Sequence, residues 1–272
     1  MSAIDCNGPL PARAFRIRQL PPGRAAAWLV LGWQDMRDIG WPSYLHGLIV
    51  CLIGIVLALM SLETSLLLPG FASAFVLIGP LLATGLYALS RRRGQNMHAG
   101  LETAVKAWRC AGSRLLTFSL LLLGVALAWV AISALLFRIF LQGEAMTAPA
   151  LVEFMLTRDT LHFMQWTVLG SLLAATVFAC SVITIPLLME REVSTRSAIL
   201  SSVRTVGENP VTMVVWALCI ALATLVSLAT GMLGFIFLYP LIGHASWHAY
   251  RDLAEIDDRE IPLNPDNPDE HH

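Results

Sequence analysis

Along the chain, long stretches without an acidic or basic residue alternate with short charged segments. Five of them, at about 44–62, 65–90, 115–137, 164–189 and 210–230, match the ~20 apolar residues that a helix needs to cross the bilayer core. The last run continues through 232–250, interrupted only by His244 and His248, and is long enough for two spans. A division near Ala229-Thr230-Gly231 gives six transmembrane helices; leaving the run whole gives five.

Amphipathic stretches precede alternate spans. From Arg24 to Ile39, helical projection puts Ala25, Trp28, Leu29, Gly32, Trp33, Met36 and Ile39 on one arc, with Arg24, Gln34, Arg37 and Asp38 on the other. Leu101, Ala104, Val105 and Trp108 repeat the helical spacing, as do Ile199, Ser202, Val203 and Val206, with Arg204 matching Lys106. Helices of this kind lie in the headgroup plane with cationic side chains towards anionic lipid. A proline phrase also recurs, as Pro80-Leu81-Leu82, Pro186-Leu187-Leu188 and Pro240-Leu241-Ile242, and Tyr87 and Arg91 align with Trp247 and Arg251. The pattern predicts three parallel units, each an interfacial helix plus a transmembrane hairpin.

The expected fold is therefore an all-α, polytopic membrane helical bundle of six transmembrane helices plus interfacial amphipathic helices. It occupies residues 23–253, between an irregular N-terminal segment (1–22) and an acidic, Pro/Asn-rich, disordered tail (254–272). The segment from Gln142 to Thr160 is expected to form one helix on the outer surface. Small residues (Gly47, Gly54, Gly79, Ala83, Gly85) let the first helices approach closely, and Gly79-Pro80 kinks the second.

Charge sets the sidedness. Of 18 basic residues, only Arg138 and Arg158 fall opposite the rest when the number of spans is even. Both termini are thus expected in the cytoplasm, with the bundle in a bacterial inner membrane. The first long apolar run begins only near Tyr44, later than in a secretory signal, so the N-terminus is not read as a cleaved leader.

Composition narrows the function. Apolar residues make up 56% of the 272-residue chain and charged residues 14%, against roughly 25% charged in soluble domains. An ordinary soluble enzyme is excluded, and a net charge of −1 removes nucleic acid as a partner. The five cysteines have no short spacing that suggests disulfides or zinc. No hydrolase elbow, zinc-protease motif or phosphate loop occurs, so no catalytic residue is expected.

No Asp, Glu, Lys or Arg lies in the core of a predicted span, which argues against a pump or ion-coupled carrier. Histidine is the only ionisable type there. His244 and His248 are one turn apart on the sixth helix, and His46 begins the first, at similar depth. Neutral imidazole ligates haem and metals, so His46 with His244 or His248 is a candidate ligand set. The plainer expectation is interfacial histidines bonded to backbone, headgroups or water, beside Trp247 and Tyr250, with no resident cofactor.

Several phrases carry a resemblance. They are Gly32-Trp33-Gln34-Asp35, Gly79-Pro80-Leu81-Leu82-Ala83, Gly85-Leu86-Tyr87 and Ser90-Arg91-Arg92 in the first half, then Ile185-Pro186-Leu187-Leu188, Asn209-Pro210 and the long phrase from Tyr239 to Asp252. Over residues 24–253 the chain resembles the bacterial integral membrane family called domain of unknown function 2189. The resemblance implies an inner-membrane protein of unassigned activity. Some members are labelled a putative cytochrome c oxidase subunit, a label that six spans and three histidines do not support. The leading expectation is a non-enzymatic accessory or scaffold protein in the lipid bilayer, compatible with a place beside a respiratory complex. The alternatives are a passive channel or carrier for a small or amphiphilic solute, and a haem- or metal-binding redox-associated protein.

Overall fold

The computed structural model describes residues 15–63, 79–109, 112–140 and 160–256. The amphipathic segments form helices α1 (Arg24–Ile39), α5 (Leu101–Arg109) and α9 (Thr195–Glu208). The apolar runs give α2 (Trp41–Glu63), α6 (Ser113–Phe140), α7 (Thr160–Ser181) with its continuation α8 (Thr184–Glu190), and α10 (Pro210–Ala229). The second expected span is described only at its inner end, as α3 (Gly79–Leu82) and α4 (Thr84–Gly94); its part at 65–78 lies outside the described residues, as does the expected outer helix up to residue 159. The chain closes with α11 (Phe235–Leu253).

Among the described residues, four helices are long and apolar enough to cross a membrane: Trp41–Met60, Ser113–Phe140, Thr160–Glu190 and Pro210–Ala229. They coincide with four of the six expected spans. The sixth, α11, is a separate helix but does not meet that criterion. It carries Arg251 and Asp252, and its C-terminal half buries Gly243, His244, Ala245, Trp247, Ala249 and Tyr250. Burial inside protein and burial in lipid select the same apolar residues, so the sequence pattern of α11 does not separate the two.

The break between α10 and α11 falls where the sequence predicts it. Gly231 takes a left-handed backbone (φ +62°), Met232 N–H bonds Ser227 C=O at 2.9 Å, and Gly231 N–H bonds Leu228 C=O at 3.0 Å. This double bond is a Schellman cap, which satisfies carbonyls that the helix end leaves open. Asn96 (φ +54°) ends α4 in the same way and turns the chain into α5.

Helix α11 touches α1, α2, α4, α8 and α10. The closest approaches need glycine: a Cβ on Gly32 of α1 would stand 2.7 Å from Ala245 N and 2.8 Å from Leu241 O, and one on Gly47 of α2 would stand 2.6 Å from Phe235 O. The amphipathic helices pack on the proline-phrase helices: α5 on α4, α9 on α8 and, across the ends of the chain, α1 on α11. The three prolines do not share a local position. Pro80 lies in α3 before a break at Ala83, Pro186 is the third residue of α8, and Pro240 is inside α11.

Residues 15–17 and 254–256 are more ordered than their neighbourhood's composition implies. Phe15–Ile17 (β1) pairs antiparallel with Ala254–Ile256 (β2), Phe15 opposite Ile256. These strands correct the ends of the expected irregular segment and disordered tail. Asn209 fastens the N-terminal strand's exit, accepting from Leu20 N–H at 2.8 Å and donating to Arg18 C=O at 3.1 Å. Local backbone pairing outweighs the polar composition, and it puts residues 15 and 256 on one side of the bundle.

Substituting Gly32 or Gly47 by alanine is expected to force α1 or α2 off α11 and to destabilise the protein by about 1–3 kcal/mol. The comparison is Gly124→Ala in α6, where nothing lies within 4 Å of the added carbon. Melting temperatures in detergent check this: both α11-facing variants melt below wild type, and Gly124→Ala does not.

Candidate functional site

Several polar residues of α11 meet a partner on another element, whereas Ser246 bonds Ile242 C=O of its own helix. His244 is fully buried, with Nε2 2.9 Å from Ser43 Oγ of α2 and Nδ1 2.7 Å from Ser90 Oγ of α4. One turn on, His248 Nε2 lies 2.9 Å from Asp35 Oδ2 of α1. Asp35 is itself fully buried and accepts from Arg93 Nη1 at 2.6 Å, while Arg93 also holds the exposed Asp38. Ser90 reaches the Asp35 carboxylate as well.

The donors and acceptors fall into order along this chain once Ser90 points its hydroxyl at Asp35. An ionised carboxylate accepts and never donates. In that arrangement Ser90 donates to Asp35 and accepts from His244 Nδ1–H, which leaves Nε2 to accept from the Ser43 hydroxyl. Asp35 is the sink of a relay from Ser43 through His244 and Ser90, and of two further donors, His248 and Arg93. Burial alone would raise the Asp35 carboxyl, but the bonds from His248 and Ser90 and the nearby imidazole charge outweigh it and hold it below the usual carboxylate range.

Two more clusters line the same half of α11. Glu190, at the end of α8 and buried, accepts from Tyr250 OH at 2.7 Å and has Arg251 Nη1 and Arg91 Nε at 3.4 and 3.8 Å. Asp252 accepts from Arg24 Nε at 2.7 Å and Trp28 Nε1 at 3.0 Å. Three acids thus join α11 to α1, α4 and α8.

Of the sequence candidates, the structure brings His244 and His248 into this network and leaves His46 beside it. His46 Nδ1–H donates to Pro42 C=O at 2.7 Å, and its Nε2 lies over Gly85 next to the Trp108 indole. Both nitrogens of His244 are taken by hydroxyls, so a ligand role there would have to displace Ser43 or Ser90. Among the described residues, no group of three or more His, Cys, Asp or Glu side chains is arranged to hold a metal ion. His244 also differs from the interfacial histidine that the sequence suggests: it meets serines inside the bundle rather than headgroups or water.

Sequence reasoning passed over Asp35, Ser43, Ser90, Arg93 and Glu190. A signal existed for Asp35: the buried positions of α1 are Ala25, Trp28, Gly32, Asp35 and Met36, a helical stripe with one carboxylate in it. An acid on a core stripe needs a cationic partner. Trp33, expected on that arc, is instead half exposed.

Residues 67–190 match the model of a family described as "Predicted integral membrane protein (DUF2189)". That is the family that the phrases resemble, and the matched segment holds Ser90, Arg91, Arg93 and Glu190 but not Asp35 or His244. No curated protein and no solved structure matches the chain.

Two outcomes follow from the network. His244→Ala leaves the buried Ser43 hydroxyl without its acceptor, at about 1–3 kcal/mol, takes a donor from Ser90, and should lower the melting temperature more than His46→Ala. Asp35 has a folded-state pKa below its unfolded value of about 3.9. Its contribution is complete above that value and is lost as pH falls through the lower folded value. The stability difference between wild type and Asp35→Asn, followed by melts at pH 7 and below pH 4, should be largest at neutral pH and shrink in acid. A difference constant with pH would contradict the assignment.

Proposed function

We propose that the protein works without catalysis, as a scaffold-like bundle of the bacterial inner membrane that grips the anionic cytoplasmic leaflet through its amphipathic helices. The observation that carries this reading is a shared surface pattern. Helix α1 exposes Val30 and Trp33, α5 exposes Val105 and Trp108, and α9 exposes Leu200 and Val203, each pair three residues apart. The opposite faces are buried: Ala25 and Trp28 in α1, Ala104 in α5, Ala198 in α9. A helix packed on one side gains from an exposed apolar pair where that pair meets hydrocarbon.

Charge supports the choice of leaflet. Exposed Arg37, Arg109, Arg196 and Arg204 flank these pairs, and each basic side chain near an anionic surface contributes about 1 kcal/mol. The paired strands at residues 15–17 and 254–256 favour both termini on that same side. The six-span plan in three units is part of the reading. Its support is the packing of each amphipathic helix on a proline-phrase helix, with α1 on α11 closing the set.

The non-enzymatic part rests on burial. Ser43 and His244 form a hydroxyl–imidazole pair, but both are fully enclosed. A Cβ on Gly243 would collide with Leu86 Cδ1, so the contact between α4 and α11 is closed beside them. The pair is suited to joining helices.

The test is nitroxide depth on protein reconstituted in bilayers, with labels on Val30→Cys, Val105→Cys and Leu200→Cys in a background without native cysteines. All three labels should collide more with oxygen than with a water-soluble nickel complex, at shallow depth. Nickel-dominated, water-like collision at all three would contradict bilayer docking.

A further inference from the structure

Arg191, the residue after α8, is only 6% exposed, yet among the described residues its guanidinium has neither a hydrogen bond nor an ion pair. It lies close enough to the Tyr250 hydroxyl for its charge to act there, as does Arg251. That hydroxyl is occupied by Glu190 at 2.7 Å, and the same carboxylate stands opposite Arg91 and Arg251. Three guanidinium charges against one carboxylate leave two uncompensated. The contacts of Arg251 and Arg91 with Glu190, at 3.4 and 3.8 Å, are longer than charge-assisted hydrogen bonds of about 2.7–2.9 Å. Their forks therefore keep free donors.

A buried guanidinium without an anion is costly, and an arginine fork matches phosphate oxygens in pairs. We infer that Arg91, Arg191 and Arg251, where the ends of α4, α8 and α11 meet, form a binding site for a phosphate group. Arg191, 6% exposed, forms the floor. The side chains of Arg91 and Arg251, 32% and 51% exposed, form the open rim through which the anion enters. Glu190 does not fill the site: Tyr250 holds it to one side and it spaces the two rim arginines. Two chemical sources fit the same cradle, the phosphodiester of an anionic phospholipid and free inorganic phosphate. The cradle is separate from the exposed apolar pairs of α1, α5 and α9, so it can be tested where no bilayer is present.

The experiment uses the full chain, purified and delipidated in a non-ionic detergent, with titrations of inorganic phosphate and of phosphatidylglycerol in mixed micelles. Melting temperature and native mass spectrometry are the readouts, and phosphatidylcholine is the neutral lipid control. Wild type should bind at least one of the two phosphates, and Arg191→Gln should weaken that binding tenfold or more. Arg251→Gln, a change at the open rim, should weaken it as well and serves if the Arg191 variant does not fold. Arg138→Gln, exposed near the end of α6 and away from both sets of arginines, should leave it unchanged. Saturation by phosphatidylglycerol alone assigns a lipid headgroup, and saturation by inorganic phosphate assigns a soluble anion. The inference is overturned if wild type binds neither above the phosphatidylcholine background, or if the folded arginine variants bind as wild type does.

Discussion

A fully buried carboxylate on α1 constrains everything around it. Asp35 stands on the packed face of its helix, where an unpartnered charge is not tolerated. Its partners come from far along the chain: Arg93 and Ser90 from α4, His248 from α11. The fold has to bring three helices together at one end to satisfy one side chain. Through Ser90 the same demand reaches His244, and through His244 it reaches Ser43 at the start of α2. Such a network is worth little as net stability but much as specificity, because any other arrangement leaves a buried charge open.

This explains why α11 departs from the other apolar helices. The four helices with the length and hydropathy of spans show broad apolar surfaces, such as Leu116, Leu120 and Leu127 on α6 or Leu218, Leu222 and Leu225 on α10. Helix α11 instead spends its second half on protein contacts. It meets α1 and α2 through glycine, α1 and α4 through the Asp35 network, and α8 through Glu190. The strand pair beyond it ties residues 15–17 to residues 254–256, and Asn209 anchors that tie to α10. A break in the relay therefore loosens several elements at once.

Much of this was legible in the sequence, for reasons of period and length. The limits of α1 follow from the spacing of its apolar residues and from Gly40, and the break after Ala229 follows from Thr230-Gly231. The four apolar spans follow from run length. What was not legible is pairing across distance. Nothing in the local pattern couples Asp35 to a histidine 213 residues away, or Ser43 to one 201 residues away. The difference between α11 and the four longer apolar helices has the same origin. Residues such as Gly243, Ala245 and Ala249 are small because helices press against them, and hydropathy cannot separate that from lipid. The terminal strands were hidden by their length, since three residues are too few to show an alternation.

The central claim is that the Asp35 network is one mechanical unit joining α1, α4 and α11. Hydrogen–deuterium exchange on Asp35→Asn, compared with wild type in the same detergent, tests it most directly. The account predicts faster exchange together in α1, in α4 near Ser90 and in the second half of α11, with the α6–α7 hairpin unchanged. Faster exchange confined to α1, with α4 and α11 protected as in wild type, would contradict it.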